Sequence, residues 1–293
     1  MIRFGPAGWS YKDWEGIVYP PHGSRFDHLG YLASYFDTIE VNSSFYRIPP
    51  PAHAESWTKR TAFNADFQFT VKLFRGFTHE KVQPPGDIAA FRDFLDSLHT
   101  AGNLAAVLIQ FPWSFRNGEE ALARLDGIAE AFHDYPKAVE VRHSTFQNEG
   151  FIKFLEERSM TFVNIDQPLF SDSVKPSAVA SGPISYVRFH GRNYKKWFEH
   201  DEAWERYDYL YTKEELEPWA KKIRELEKKG DVYVITNNHF RGQAIVNAID
   251  LQQMMGLTAR VPPPMVEMMK ERIGTGFTLA PRERGEGGER NPE

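Results

Sequence analysis

The stretch "AVEVRHSTF", residues 138–146, sets Glu140, Arg142 and His143 within four residues at the end of an apolar run. A guanidinium can clamp a phosphate or carboxylate through two hydrogen bonds, and a carboxylate beside an imidazole can divide acid and base roles between them. Residues two apart in a strand share a face, so Val139 and Val141 lie opposite Glu140 and Arg142. The same separation recurs along the chain. Ile39 and Val41 oppose Glu40 and Asn42; Phe67, Phe69 and Val71 oppose Gln68, Thr70 and Lys72. Val163 and Ile165 oppose Asn164 and Asp166, and Val187 and Phe189 oppose Arg188 and His190, with Asn237 and His239 joining the polar set by parity.

These residues need a frame that brings strand ends together. Runs with strand character fall at 2–7, 38–42, 67–73, 104–111, 138–142, 161–166, 185–190 and 232–237. Helical patterns such as "PGDIAAFRDFLDSLHT", "NGEEALARLDGIAEAFHDY", "EGFIKFLEERS" and "KEELEPWAKKIRELEKK" separate most of them, and "GQAIVNAIDLQQMM" follows the eighth. Eight strand-helix repeats predict an α/β chain folded as a closed (βα)8 TIM-type barrel, one domain over residues 1–274. The sixth connection, "QPLFSDSVKPSAVASGP", reads as irregular, and the charged, Gly-rich segment 275–293 reads as a disordered tail. In such a barrel the outer face packs on helices and must be apolar, so the polar face points inward toward the C-terminal mouth. An isolated buried ion costs several kcal/mol. Here Lys72, Arg142 and Arg188 offset Glu40, Glu140 and Asp166, which describes either a polar plug or a site; strand C-termini are where barrels of this kind place their chemistry.

The loops after those strand ends carry Trp9, Tyr11, Trp14, Phe45, Tyr46, Trp113, Phe115, Phe146, Tyr194 and Trp197, rings able to flank a flat or sugar-like ligand. "KLFRGFTHEK" adds Arg75, Thr78, His79 and Lys81 past the third strand as an anion-contacting loop. Composition narrows the chemistry. The chain has no cysteine, so a thiolate nucleophile, a thiolate metal site and disulfides are excluded. A net charge of −5 gives no bulk attraction to nucleic acid or anionic membrane, leaving only local patches for such partners. No stretch reaches the ~20 apolar residues of a membrane span and "MIRFGPAGWS" does not read as a secretory leader, so a cytoplasmic protein without a membrane partner is expected. Walker-type and dinucleotide-binding glycine loops and paired metalloprotease histidines are missing, which argues against nucleotide-driven chemistry.

Seven segments, "GPAGWSYKDWEGIVYP", "EVNSSFYRIP", "FQFTVKLFRGFTH", "VLIQFPWSF", "VEVRHSTF", "YVRFHGRN" and "VYVITNNHFRGQAIVNA", occur in an order that resembles the YecE-like family, domain of unknown function 72, over residues 2–256. The resemblance implies a TIM-type barrel and carries no established reaction. Its motifs point to Trp9, Glu40, Asn42, Tyr46, Lys72, Thr78, His79, Gln110, Glu140, Arg142, His143, Arg188, His190, Gly191, Asn237 and Asn238. Two departures stand out: "GPAGW" has Pro6 and Ala7 where a small hydroxyl residue is usual, and Phe146 stands where tryptophan is frequent, removing an indole donor.

The expected function is a metal-free, cofactor-free enzyme. Lys72, Arg142 and Arg188 would bind a small anionic molecule or nucleotide, and Glu140, His190, His143 and Glu40 would move protons. Asn42, Tyr46, Thr78, His79, Gln110, Asn237, Asn238, Trp9 and Trp197 would complete the binding site. A divalent-metal phosphodiesterase, endonuclease or sugar isomerase built on Glu40, Glu140, Asp166, His190 and His239 ranks below it, because inward arginine and lysine repel a cation. A non-catalytic nucleic-acid or metabolite binding protein is the third reading. Oligomeric state is not legible.

Overall fold

The computed structural model describes residues 1–80, 86–202 and 204–282. Its eight parallel strands are β1 Ile2–Pro6, β2 Thr38–Val41, β3 Gln68–Lys72, β4 Leu104–Gln110, β5 Lys137–Glu140, β6 Met160–Asp166, β7 Ser185–Phe189 and β8 Val232–Thr236. Each bound lies within two residues of the sequence expectation. Pairing runs β1-β8-β7-β6-β5-β4-β3-β2. β1 and β2 then meet through a parallel bridge between Ala7 and Glu40, with Gly8 N donating to Glu40 O at 2.8 Å, so the ring is nearly closed. This seam depends on glycine: a Cβ on Gly5 would lie 1.7 Å from Thr38 O.

The helices are α1 His28–Ala33, α2 Pro51–Thr61, α3 Arg75–Thr78, α4 Asp87–Thr100, α5 Glu119–Ala131, α6 Glu149–Glu156, α7 Lys213–Glu227, α8 Gln243–Met254 and α9 Val266–Ile273. Local sequence explains their starts. Thr212 and Glu215 form a reciprocal capping box on α7, and Asn148 accepts from Phe151 N to cap α6. α7 buries Leu216, Trp219, Ala220, Ile223 and Leu226, a helical stripe that meets the outward Phe189 of β7, whose ring lies 5.2 Å from Trp219. On the other side of the barrel the outward Phe69 meets Trp57 of α2.

The sixth connection has no helix, as its sequence suggests. It crosses the outer face of β6 and is tied there by Asn164, which donates to Val179 O at 2.9 Å and accepts from Val179 N and Ser177 Oγ at 2.8 Å. Asp166 faces the same way and accepts from Tyr211 Oη, Trp219 Nε1 and Arg192. Asn164 and Asp166 therefore lie on the outer face, contrary to the inward placement that apolar-out parity predicts. Where an irregular segment replaces a helix, its backbone donors and acceptors must be satisfied by the strand beneath, and the polar residues turn outward to do it.

Beyond the barrel, β9 Ala259–Arg260 pairs with β10 Phe277–Thr278, and Arg282 forms an ion pair with Asp37 while its N–H donates to Ser34 O. Residues 275–282 of the expected irregular tail thus carry contacts that its composition did not announce; 283–293 lie outside the described residues. Among the described residues no helix is long and apolar enough to cross a membrane.

Candidate functional site

The floor of the mouth is a buried charge network. Arg188, 1% exposed, donates through Nη2 to Glu40 Oε1 at 2.6 Å and through Nη1 to Glu140 Oε2. Arg142 Nη2 donates to the other Glu140 oxygen at 2.7 Å. Tyr186, on the Arg188 face of β7, donates to Glu40 Oε2 at 2.8 Å. His190 closes the network: Asn237 Nδ2 lies 3.0 Å from its Nδ1 and Glu140 Oε1 lies 3.2 Å from its Nε2. The tautomer with its proton on Nε2 lets Nδ1 accept from the amide and Nε2 donate to Glu140, with Arg142 Nη2 at 3.3 Å and Arg188 Nη1 at 3.4 Å also close to Nε2. Burial, reinforced by Arg142 and Arg188 against the pull of Glu140, pushes His190 down to about 3, so it is neutral. Burial works to raise the Glu140 carboxyl, but Arg188 and Arg142 overrule it and hold the group far below the usual carboxylate range. Glu40, Glu140 and His190 are each fully buried beneath the mouth.

Above this floor lies a cavity of about 440 Å³ lined by residues at or after the ends of β1, β2, β3, β4, β5, β7 and β8, among them Trp9, Asn42, Tyr46, Lys72, Gln110, Arg142 and Asn237. An adjoining cavity of about 390 Å³ shares Tyr46, Lys72, Gln110 and Arg142 and adds His79, Trp113 and Trp197. Arg142 is presented by its neighbours: Glu140 anchors one nitrogen, Gln167 Oε1 accepts from Nη1 at 3.4 Å, and the guanidinium stands 5.4 Å from the Trp197 ring. Lys72 differs from both arginines. Its Nζ stands 4.0 Å from the Phe45 ring centre, and among the described residues it has no ion-pair or hydrogen-bond partner. Burial and Arg188 bring its ammonium down to about 7 against the pull of Glu40 and Glu140. With Asp166 on the outer face, three cations at these strand ends face two carboxylates, and Lys72 carries the excess. Asn42 Oδ1, Arg142 Nε, Arg188 Nε and His239 Nδ1 are buried polar atoms without a hydrogen-bond partner among the described residues, all on residues lining the larger of these two cavities. Such a concentration marks a place built for water or ligand.

The expected site residues therefore sort into three groups. Trp9, Asn42, Tyr46, Lys72, Gln110, Arg142, Asn237, His79 and Trp197 reach the cavities, with Tyr46 72% exposed on the rim. Glu40, Glu140, His190 and most of Arg188 form the floor. Arg188 touches the cavity, but both of its Nη groups are committed to carboxylates, so the expected triple cation clamp reduces to Arg142 and Lys72. His143, Thr78 and Asn238 lie outside both cavities. His143 accepts from Thr145 N to cap a 3-10 turn, Thr78 bonds His79 Nδ1, and Asn238 donates to Tyr209 O and to Asn247 of α8. Gly191, at φ +86°, backs onto Tyr209, where a Cβ would come within 2.8 Å. Trp14 and Phe146 are core residues, so the departure at Phe146 does not touch the ligand space. Arg75 pairs with Glu80, and Lys81 lies outside the described residues. The five residues weighed as a metal set do not converge, since Asp166 faces away; among the described residues no three His, Asp or Glu are grouped to hold a metal.

Sequence reasoning missed Tyr186 and Gln167, which support Glu40 and Arg142, and Tyr207 of the seventh loop, which lines both cavities. Tyr186 was recoverable because it shares parity with Arg188. Gln167 was hidden by the inverted phase of β6.

Residues 3–270 match the profile of a family described as a protein of unknown function, DUF72. The UPF0759 protein YunF of Bacillus subtilis (strain 168) is 31% identical over 274 residues, 88% of this chain and 95% of that protein. A DUF72 family protein from Thermotoga maritima MSB8 superposes with a TM-score of 0.77 at 32% identity, covering 87% of this chain and 99% of that one. Another from Enterococcus faecalis V583 gives 0.77 at 26% identity, covering 90% and 98%. Barrel, motif order and these relatives agree, and the chain belongs to the DUF72 family.

Proposed function

We propose that the barrel mouth is the active site of an enzyme acting on a small molecule that bears a phosphate or carboxylate. Arg142 and Lys72 take the anion, Trp9, Tyr46 and Trp197 flank the body of the ligand, and proton transfer uses the chain's own groups without a metal. The observation that carries this reading is Lys72: a cation without a counter-charge among the described residues, facing the same cavity as Arg142. Glu140 and His190, first candidates for proton transfer, are better suited to holding Arg142 in place, because the Glu140 oxygens are filled by Arg188, Arg142 and His190. An ionisation near 7 suits Lys72 to acid or base work at neutral pH. A bound anion stabilises its ammonium, so binding above pH 7 takes up a proton.

Calorimetric titration with inorganic phosphate in buffers of different ionisation enthalpy tests both points. Arg142→Gln should weaken phosphate about 10- to 100-fold, the ~1.5–3 kcal/mol of a charged hydrogen bond. The parent protein should show proton uptake at pH 7.5. Equal phosphate affinity in parent and variant would remove the proposal.

A further inference from the structure

We infer that Lys72 captures carbonyl groups: the substrate carries an aldehyde or ketone beside its anionic group, and Lys72 Nζ condenses with it as a Schiff base. This rests on the anion reading of the same mouth and extends it to a substrate class, carbonyl compounds bearing carboxylate or phosphate.

The geometry separates Lys72 from an ordinary surface lysine. Lys153 and Lys221 have largely exposed side chains and lie beside Glu157 and Glu217 on their own helices. Lys72 instead ends a barrel strand, with its Nζ against the Phe45 ring and open to the cavity. The charged groups around it are Arg188 from β7, Arg142 and Glu140 at the end of β5, Glu40 from β2, and His79 after α3, which burial and Lys72 itself push down to about 4. Both carboxylates are already claimed by arginine, Glu40 by Arg188 at 2.6 Å and Glu140 by Arg142 at 2.7 Å, so they act on Lys72 only at a distance and neither forms an ion pair with it. With burial and Arg188 bringing its ionisation down to about 7, a substantial share of Lys72 is free amine at neutral pH, against roughly one part in 2,500 for a lysine at the usual value. Only the free amine attacks a carbonyl, and desolvation beside other cations is a known way to produce it. Arg142, in the same cavity, is placed to hold the anionic end of a carbonyl substrate, so that Lys72 Nζ meets the carbonyl and not the anion, and attack comes from the unprotonated share of the amine.

The step balances without a co-reactant. The Nζ lone pair forms a C–N bond to the carbonyl carbon, and the carbonyl oxygen leaves as water carrying both amine hydrogens. A solvent proton converts the imine to an iminium, which withdraws electrons from the adjacent carbon and eases loss of a proton there. Nothing is oxidised or reduced.

Full-length protein is incubated at pH 7 with formaldehyde or with glyoxylate, each with cyanoborohydride to fix the imine, and modified lysines are located by peptide mass spectrometry. Lys153 and Lys221 serve as internal references. The neutral-fraction ratio of ~1,000, reduced by the weaker nucleophilicity of a less basic amine, predicts that formaldehyde modifies Lys72 at least ~30-fold faster than either reference. Glyoxylate, which carries a carboxylate, should favour Lys72 further, and that added preference should vanish with inorganic phosphate or in Arg142→Gln. If neither aldehyde prefers Lys72 while phosphate still binds by calorimetry, the amine inference falls and the anion reading stands. If formaldehyde prefers Lys72 but glyoxylate adds nothing and phosphate does not protect, the anion-bearing substrate class falls, and the anion reading falls with it.

Discussion

Replacing Arg188 by methionine removes the cation that two buried carboxylates share, and its cost can be worked from the network. Glu40, Glu140, Arg142 and Arg188 form the directly hydrogen-bonded part of the network, with Lys72 beside it as the uncommitted cation, and Glu40, Glu140 and the Arg188 side chain are at most 2% exposed. Without Arg188, Glu140 keeps Arg142 and His190, whereas among the described residues Glu40 keeps the Tyr186 hydroxyl as its one side-chain hydrogen-bond donor, with Lys72 near it but not paired to it. Removing one partner of a buried pair costs about 3–5 kcal/mol, and the stranded Glu40 places Arg188→Met in the upper part of that range. Adding Glu40→Gln removes the buried carboxylate that has lost its hydrogen-bonded cation and keeps an acceptor for Tyr186, so the double variant should recover about 2 kcal/mol of the loss. Urea unfolding at pH 7, followed by circular dichroism, measures both. The midpoint should fall in Arg188→Met and partly return in the double variant with an unchanged slope. A loss below ~1 kcal/mol, or a Glu40→Gln cost that simply adds to that of Arg188→Met, would refute the idea of a desolvated carboxylate-guanidinium-carboxylate sandwich.

Glu140 makes stability pH-dependent in a defined direction. Its folded-state ionisation lies below the ordinary value of 4.5, so its contribution is fully present above pH 4.5 and is lost as pH falls through the lower folded value; Glu140→Gln should flatten that acid limb in unfolding free energies measured from pH 6 to pH 3. Matching acid limbs in parent and variant would mean that Arg188 and Arg142 do not hold the carboxylate ionised. Asp166→Ala orphans the Trp219 Nε1 and Tyr211 Oη donors and leaves Arg192 with Glu215 at 3.4 Å, so it should cost about 3–5 kcal/mol in urea unfolding while leaving phosphate affinity within twofold. Lost phosphate binding with stability intact would return Asp166 to the mouth.

The barrel was legible because its strand signal is local. Ile39 and Val41, or Phe67, Phe69 and Val71, must face apolar helices whatever lies inside, and eight such runs at regular spacing leave few other architectures. β6 is the exception that shows the limit of the rule. Parity correctly separated Asn164 and Asp166 from Val163 and Ile165, but which set faces outward depends on what covers the strand. A helix would have demanded the valine and isoleucine; an extended segment demanded the asparagine, whose side chain meets both backbone groups of Val179. The pairing of that segment with the strand joins residues 15 apart and leaves no local periodicity. The contacts of residues 277–282 were hidden for a similar reason: two-residue β10 and the Arg282 ion pair depend on distant partners and not on any pattern within the segment.

The misplaced Asp166 also concealed the property that most distinguishes the site. Counted inward, it matched three cations with three acids, and the mouth looked like a neutral layer in which a plug was the lesser alternative to a site. Counted outward, it is compensated by Arg192 from the loop after β7, and the strand ends are left with Lys72, Arg142 and Arg188 against Glu40 and Glu140. Arg188 spends its charge on both carboxylates and Arg142 spends part of its own on Glu140, so the imbalance settles on the one cation whose nitrogen faces the cavity without a partner among the described residues. A plug has no reason to leave that charge uncompensated, because pairing Lys72 would need only one more inward acid among the residues already there. The anion proposed for this mouth would supply the missing counter-charge, and without it burial, with Arg188 alongside, is what brings the Lys72 amine into the range where it can react.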